Sequence, residues 1–432
     1  MRSHYSSEIT TELEGKEVSL AGWVHEVRDL GKLKFMVLRD REGFIQVTGK
    51  KDACTEDVLK SISSVSRESV VEVKGVVKKN DRAPNGVEVS PTYINIVSLA
   101  QSPLPMDVTA KVEADMDTRL NNRFMDVRKP DVAAIFKIRS AVVSAARSYL
   151  DGNDFIEIHT PKIISSASEG GTNLFPISYF DKEAYLAQSP QLYKQMMMAT
   201  GLDRVYETTP YFRAEEHDTR RHLNEVTAVD VELAFIKDEE DVMNILEGLV
   251  LAMIRAASES KKELGILKKE IPVPEKALRV SYDEAVDLLG AHGKKIPTGE
   301  DIDTEGEKLL GEIMKTEKGS ELYFIHGYPL TARPFYTMPR DSIYSRSFDL
   351  EYKGVEVSSG AQRIHNYEQL LSQIKAKKLN SDSFKYYLDA FKYGMPPHGG
   401  FGLGIDRMMM QMLDLAIRDV VLFPRDRHRL TP

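Results

Sequence analysis

The chain has 432 residues, 42% of them hydrophobic, with a formal net charge of −8 and one cysteine. That length accommodates two or three domains and a large core, and the composition excludes wholesale disorder. The lone Cys54 excludes an internal disulfide framework, and no apolar run approaches the roughly 18 residues of a membrane span, so a soluble cytoplasmic protein is expected. Net negative charge argues mildly against a nucleic-acid partner, because neutralising phosphates needs Lys and Arg. Residues 1–102 are charge-neutral, however, so a nucleic-acid site would be a local patch.

Residues 16–100 read as short strands. KEVSLAGWV alternates, KFMVLRD leads through REG into FIQVTG, and SVVEVKGVV and GVEVSPTYINIV follow, with a short helix over 52–64. Five strands and a helix in this span suggest a small closed barrel such as an OB-fold. QSPLPMD, with two prolines, then marks a boundary. The expected division is a barrel over 1–102, a hinge over 103–130 and a larger domain over 131–432. Ile135, Ile138, Val142, Val143, Ala146 and Leu150 recur at helical spacing, and FIEIHTP is a strand ending on Pro161. QLYKQMMMATG reads as a helix, and VYETTPYF and VTAVDVELAF as strands around a polar loop. An amphipathic helix covers 238–259. Residues 260–320 are polar and irregular, an insertion or a lid. FDLEYKGVEVSSGAQR reads as a hairpin, 367–390 as a helix, and GMPPHGGFGLGIDRMMMQMLDL as a Gly-rich strand turning into a helix.

Four segments could carry chemistry. FRAEEHDTRRHLNE at 212–225 places Arg213, Glu215, Arg221 and His222 in a hairpin loop; a solvated hairpin laced by salt bridges would read the same way. GGFGLGIDR at 399–407 superficially invites a dinucleotide reading, but no βαβ unit surrounds it and no GK[ST] follows. Its glycines permit close backbone approach, and Arg407 could lie on a base or reach a phosphate. In DLEYKGVEVSSGAQR, Asp349, Glu356 and Ser359 could hold Mg²⁺ beside phosphates, and Arg363 suits a carboxylate. Glu169 lies in a Ser/Gly-rich flap. Gln191 and Lys194 share a helix face, and Asp230, among apolar residues, needs a cationic partner.

Arg213, Arg363 and Arg407 together resemble the three signatures of the class II aminoacyl-tRNA synthetases. The unit ending at Pro161 is similar to their motif 1, FRAEEHDTRRHLNE to motif 2 and GLGIDR to motif 3. The N-terminal barrel places the likeness in the subclass charging aspartate, asparagine and lysine, in its archaeal/eukaryotic aspartyl type. The resemblance implies an α+β fold: an antiparallel sheet of six or seven strands flanked by helices, joined to an OB-fold anticodon domain, in a homodimer. It implies an ATP site formed by Arg213, Ala214, Glu215, Arg221, His222, Leu223, Glu356, Gly404, Ile405, Asp406 and Arg407, with Mg²⁺ at Asp349, Glu356 and Ser359. Arg213, Arg407 and Glu356 would be the catalytic groups. Lys194 and Arg363 would clamp an aspartate side chain, with Asp230, Glu169 and Gln191 around its ammonium and Ser359 and Arg213 completing the site.

Two cations facing one carboxylate suit aspartate, whereas an asparagine amide would meet donors with its own N–H₂. Asparaginyl relatives usually lack a lysine at the Lys194 position. Phe35, Gln46 and Glu88 match anticodon-reading positions, although Phe35 could equally be barrel core. His25 and Pro84 match the pair carried by relaxed archaeal enzymes that charge both tRNA(Asp) and tRNA(Asn); strict ones tend to carry Trp and Lys. Two departures stand out: Val226 replaces an adenine-stacking aromatic, and Asp406 stands where Glu is commoner. The alternatives are a discriminating aspartyl enzyme, an asparaginyl enzyme, an amide-forming paralogue, and an inactive OB-fold binding module. The last would be expected to have lost Arg213, Glu356 or Arg407, and all three are present.

Overall fold

The computed structural model describes residues 2–109, 111–165, 174–215 and 221–432. The chain divides into two compact units, Met1–Pro130 and Asp131–Pro432.

In the first unit β1 (Glu17–Asp29), β2 (Leu33–Arg39), β3 (Phe44–Lys50), β4 (Val70–Lys79) and β5 (Val87–Ser98) close into a barrel of order β1-β2-β3-β5-β4. Alternation sends Val18, Leu20, Met36, Leu38, Ile45 and Val47 inward. Helix α1 (Glu56–Ser64) starts where the Thr55 side chain accepts from Val58 N–H. Residues 103–130, expected as a hinge, belong to this unit and carry α2 (Met116–Asn121) and α3 (Arg123–Asp126). The buried Asp126 carboxylate anchors them, meeting Arg119 at 3.2 Å, Arg123 at 2.7 Å and Lys129 at 3.2 Å. A carboxylate out of water requires such partners.

The second unit runs α4 (Pro130–Asp151), β6 (Ile156–Glu157), β7 (Ile163–Ile164), β8 (Pro176–Tyr179), β9 (Lys182–Leu186), α5 (Gln191–Met197), β10 (Arg204–Phe212) and β11 (Glu225–Ala234). Next come α6 (Glu239–Glu259), α7 (Lys261–Leu267), β12 (Leu278–Ser281), α8 (Tyr282–Ala291), α9 (Thr304–Glu317), β13 (Leu322–His326), β14 (Ser347–Tyr352) and β15 (Glu356–Arg363). It ends with α10 (Tyr367–Ala376), α11 (Lys385–Lys392), β16 (His398–Gly404), α12 (Ile405–Leu413) and α13 (Ile417–Val420).

Eight strands form one sheet, β12-β13-β14-β15-β16-β11-β10-β6. The expected antiparallel sheet of six or seven strands is therefore widened, and its outermost pairs, β12/β13 and β10/β6, are parallel. Edge strands of four and two residues are too short to announce themselves in sequence. Residues 260–320 are not irregular: Ala285, Leu289, Leu310, Ile313 and Met314 bury a small core that docks two helices beside β12 and β13. The single helix expected over 367–390 is two helices, interrupted at Lys378, whose φ is +58°. Among the described residues no helix is long and apolar enough to cross a membrane.

The two faces of the large sheet differ in kind. Val229, Val231, Leu233, Phe348, Leu350, Phe401 and Leu403 point one way, into a core completed by α4, α6 and α12. Each such fully buried side chain contributes about 1.5–3 kcal/mol. The intervening residues, Asp230, Glu232, Asp349, Glu351, Ser359 and Arg363, take the other face, as period-two alternation requires.

Candidate active site

The polar face of the central strands lines a cavity of about 360 Å³. β10 and β11 form the expected hairpin, with Phe212 opposite Glu225. Beyond its end, Asn224 donates to the carbonyls of Arg213, at 2.8 Å, and Glu215, at 2.9 Å, and so fixes both residues at the cavity. Gln191, Arg213, Glu215, Arg221, His222, Leu223, Asp230, Glu356, Ser359, Arg363, Gly404, Asp406 and Arg407 all line this one space. Val226 lines it too, where an aromatic was expected. Lys194 and Asp349 lie behind the lining, bonded to groups of the same face, while Ala214 and Ile405 flank lining residues in the chain. Glu169 lies outside the described residues.

The glycines of β16 make the floor. A Cβ at Gly400 would sit 2.1 Å from Glu232 Oε2, and one at Gly402 would sit 3.3 Å from Asp230 Oδ1. Only bare backbone leaves these carboxylates room. A bulge between β14 and β15 does comparable work. Strict alternation from Ser359 would turn Glu356 into the apolar core, but the bulge sets it opposite Glu351 on the polar face.

At one end of the cavity lies a buried quartet. Lys194 Nζ is 3.0 Å from Asp230 Oδ1 and 3.5 Å from Glu232 Oε2, and donates to the carbonyls of Val231 and Phe401. Arg363 Nε donates to Glu232 Oε1 at 3.0 Å. Burial raises the Asp230 carboxyl pKa despite Lys194. For Glu232 burial is outweighed by Arg363 and Lys194, and its pKa lies below the ordinary value. Among the described residues Asp230 Oδ2 and Gln191 Nε2 are buried without a hydrogen-bond partner. Both retain capacity for a ligand.

At the other end carboxylates crowd. Burial and Asp349 raise the Glu356 pKa, and burial with Glu307 raises that of Glu351. Burial and Glu356 push Glu307 up to about 7. Arg333 binds Asp349 through two bonds of 3.2 and 2.6 Å, and Arg407 donates to the Glu356 carbonyl at 2.9 Å. Among the described residues no group of three or more His, Cys, Asp or Glu is arranged to hold a metal ion by itself. Mg²⁺ takes one or two carboxylates plus phosphate oxygens; Glu356 and Ser359 at the lining can offer oxygens, whereas both Asp349 oxygens already accept from Arg333. Asp406 has a structural partner as well, meeting Arg139 of α4 at 2.6 Å and accepting from Thr227 N–H at 2.9 Å.

Glu232, Arg333, Glu351, Glu307 and Asn224 were not singled out from sequence. Asn224, Glu232 and Glu351 lie inside stretches quoted above, but nothing local marks them as parts of a site. Glu232, Arg333 and Glu307 bond residues made neighbours by the fold: Glu232 and Arg363 are 131 positions apart.

In the barrel, Phe35 is partly exposed on the outer face between the inward Met36 and the neighbouring strands, so it is not core. Glu88 is buried and accepts from Gln46 at 3.0 Å, Thr48 at 2.6 Å and Asn80 at 2.7 Å. Burial would raise its carboxyl, but these bonds outweigh it and lower the pKa. His25 sits at a β1 bulge, its ring 4.9 Å from Phe44 and 3.3 Å from Arg39 Nη1. Burial and Arg39 lower its pKa. Pro84 is exposed in the β4–β5 loop, and the adjacent Asn85 donates to the Phe44 carbonyl at 3.0 Å. Phe44 therefore links the two positions.

Comparison with known proteins agrees with this geometry. Residues 115–427 match the model of the tRNA synthetases class II (D, K and N), and residues 18–97 match that of the OB-fold nucleic acid binding domain. An aspartate–tRNA(Asp) ligase of Pyrococcus furiosus is 57% identical, and an aspartate–tRNA(Asp/Asn) ligase of Methanopyrus kandleri 51%, each match covering 100% of both chains. The crystal structure of asparaginyl-tRNA synthetase from Pyrococcus horikoshii, complexed with asparaginyl-adenylate, aligns with a TM-score of 0.93 at 34% identity over 100% of both chains. The three arginine-bearing segments converge on one cavity, and the family match spans most of the sequence: the chain belongs to the class II tRNA synthetases of the D, K and N group.

Proposed function

We propose that the protein is an aspartate–tRNA ligase that joins aspartate to ATP as aspartyl-adenylate and then transfers the aspartyl group to the tRNA 3′ end. The observation that carries this reading is the quartet of Lys194, Arg363, Asp230 and Glu232 at one end of the arginine-lined cavity. A free aspartate has one ammonium and two carboxylates. Asp230, with its unpartnered oxygen, and the side-chain carbonyl oxygen of Gln191 receive the ammonium; Lys194 and Arg363 supply the cations for the side-chain carboxylate. Ser359 and Arg213 hold the rest of the amino acid beside the α-phosphate.

The reaction brings a carboxylate onto a phosphate, two anions, so the site must neutralise charge and align the partners. Arg213 sits where both meet. Arg407 and Arg221 with His222 take the base and outer phosphates, and Glu215 faces the adenine amino group. Asp349, Glu356 and Ser359 would hold Mg²⁺, which when bound offsets phosphate charge. No protein nucleophile is required. The likeness to an asparaginyl enzyme does not displace this reading, since the aspartate ligases are nearer in sequence and Lys194 opposes an amide.

The barrel reads the anticodon through Phe35, Gln46 and Glu88. His25 and Pro84, joined through Phe44, support relaxed selection, so tRNA(Asp) and tRNA(Asn) are both substrates; relatives of both specificities exist at 57% and 51% identity. The likeness of the Pro161 unit to motif 1 supports a homodimer, and the reading places the protein in the cytoplasm. The test is charging of separate tRNA(Asp) and tRNA(Asn) transcripts with labelled aspartate, ATP and Mg²⁺. Comparable charging of both is expected. Charging of tRNA(Asp) alone overturns the relaxed reading, and charging with asparagine but not aspartate overturns the amino-acid assignment.

A further inference from the structure

Residues 260–320 supply something to the cavity that neither their polarity nor the three signatures announces. Helix α9 presents Thr304 and Glu307 on one face, three residues apart. Arg221 Nη2 donates to Thr304 Oγ1 at 3.0 Å, and its Nη1 lies 3.6 Å from Glu307 Oε2. Both side chains of the pair are mostly buried. The helix is firmly seated. Asp303 caps it by accepting from Gly306 N–H at 2.8 Å, and Leu310, Ile313 and Met314 anchor it in apolar core. Gly311 packs so closely on Gly354 that a Cβ there would lie 2.4 Å from the Gly354 Cα. Gly354 is the turn between β14 and β15, the strands that carry Asp349 and Glu356. One rigid helix therefore touches both the carboxylate hairpin and the arginine of the β10–β11 loop.

We infer that Glu307 and Thr304 are positioning residues that hold the Arg221 guanidinium in the orientation needed for the outer phosphates of ATP. The inference rests on the proposed ATP-dependent reaction and adds a function for α9. An arginine fork delivers several donors in one plane, and its benefit is realised only when the long side chain is held still. Two effects of Glu307 oppose each other. Its carboxylate fixes the fork, and it also repels phosphate. Arg221 lines the cavity and Glu307 stands behind it, so a phosphate meets the guanidinium at shorter range than the carboxylate, and fixation outweighs repulsion. Glutamine separates the two, because it keeps an acceptor and drops the charge.

The test measures ATP and AMP affinity by calorimetry, and the ATP KM in aspartate-dependent pyrophosphate exchange, for the wild type, Glu307→Ala, Glu307→Gln, Arg221→Ala and the Arg221→Ala/Glu307→Ala pair. Glu307→Ala is expected to weaken ATP about tenfold, with AMP within twofold and kcat little changed, while Glu307→Gln recovers most of the loss. On the Arg221→Ala background, removing Glu307 should add less than twofold. Unchanged or tighter ATP binding in Glu307→Ala overturns the inference. So does equal weakening of ATP and AMP, which marks general damage, or a full additional loss in the double variant. A wild type lacking aspartate-dependent exchange would sink the aspartate assignment instead, while the ATP–AMP comparison still judges Glu307.

Discussion

Lys194→Met removes one charge at nearly constant volume and separates the structural from the selective role of the quartet. The lysine is buried, 3.0 Å from Asp230 and 3.5 Å from Glu232. Breaking a buried pair by deleting one partner costs about 3–5 kcal/mol. Asp230 can escape part of this by taking up a proton, since burial already raises its pKa, so the lower figure applies. In a unit of about 300 residues, about 3 kcal/mol lowers Tm by roughly 5 °C. The catalytic effect is larger in proportion. If the bound side-chain carboxylate lies about 5 Å from Lys194, an effective dielectric of about 20 gives about 3 kcal/mol, or roughly 200-fold. The assay is pyrophosphate exchange with aspartate and with asparagine, beside a thermal melt. The aspartate kcat/KM should fall about 200-fold, with the ATP KM within threefold and the asparagine rate little affected. A 5 °C loss with the aspartate-to-asparagine ratio unchanged would show that Lys194 is only a core counter-ion, and the clamp argument would fail.

Three further outcomes follow from the same geometry. Burial holds the His398 imidazole down to about 4, from 6.5, so the unfolded chain takes the proton first as pH falls. Its contribution is complete above pH 6.5 and is lost on descending to about 4, by about 3 kcal/mol; urea midpoints of His398→Asn should lack this part of the wild-type slope, and parallel curves would refute it. Converting His25→Trp together with Pro84→Lys should cut tRNA(Asn) charging at least tenfold and leave tRNA(Asp) within threefold. Equal losses on both transcripts would show damage to the barrel, not a change in selectivity. Glu356→Gln should raise the Mg²⁺ concentration for half-maximal adenylate formation about tenfold or more, and an unchanged magnesium curve would remove Glu356 from the metal site.

Much of this site was legible in the sequence, because the physics behind it is local. The alternation in VTAVDVELAF puts Asp230 opposite the apolar set, and the glycines of GGFGLG announce a backbone that something approaches closely. Arg213, Arg363 and Arg407 stand in three segments whose separate patterns are weak and whose conjunction is strong. The failures have equally local causes. In the same alternating strand Glu232 reads as an ordinary outward residue, and nothing nearby reveals that Arg363 and Lys194 will reach it. Arg333 sits in TARPFY, a loop without periodicity, yet it is almost fully buried against Asp349. The segment 260–320 reads as irregular because charged and loop residues outnumber its apolar ones, although α8 and α9 run 10 and 14 residues. Their few buried side chains suffice only because β12 and β13 offer a prepared surface.

The charge plan of the cavity explains why one sheet face can serve two chemically different substrates. At the amino-acid end, Lys194 and Arg363 balance Asp230 and Glu232, so the quartet is neutral and each charge is already paired. On the proposed reading an incoming aspartate would exchange partners there and would not have to create a new field. That favours discrimination, since a ligand with one charge missing leaves a buried group unsatisfied. At the nucleotide end the balance is deliberately uneven. Glu307, Asp349, Glu351 and Glu356 crowd together, and burial with mutual repulsion holds three of them, Glu307, Glu351 and Glu356, above the ordinary carboxyl range. Arg221, Arg333 and Arg407 stand against Glu307, Asp349 and Glu356, while Glu351 Oε2 is buried without a partner; on the proposed reading a divalent cation arriving with phosphate would relieve the remaining repulsion. Arg213 stands between the two regimes. On the proposed reading the charge-balanced end would select the amino acid and the carboxylate-rich end would receive the nucleotide with its cation, so that the two anions meet only where their charges have been offset.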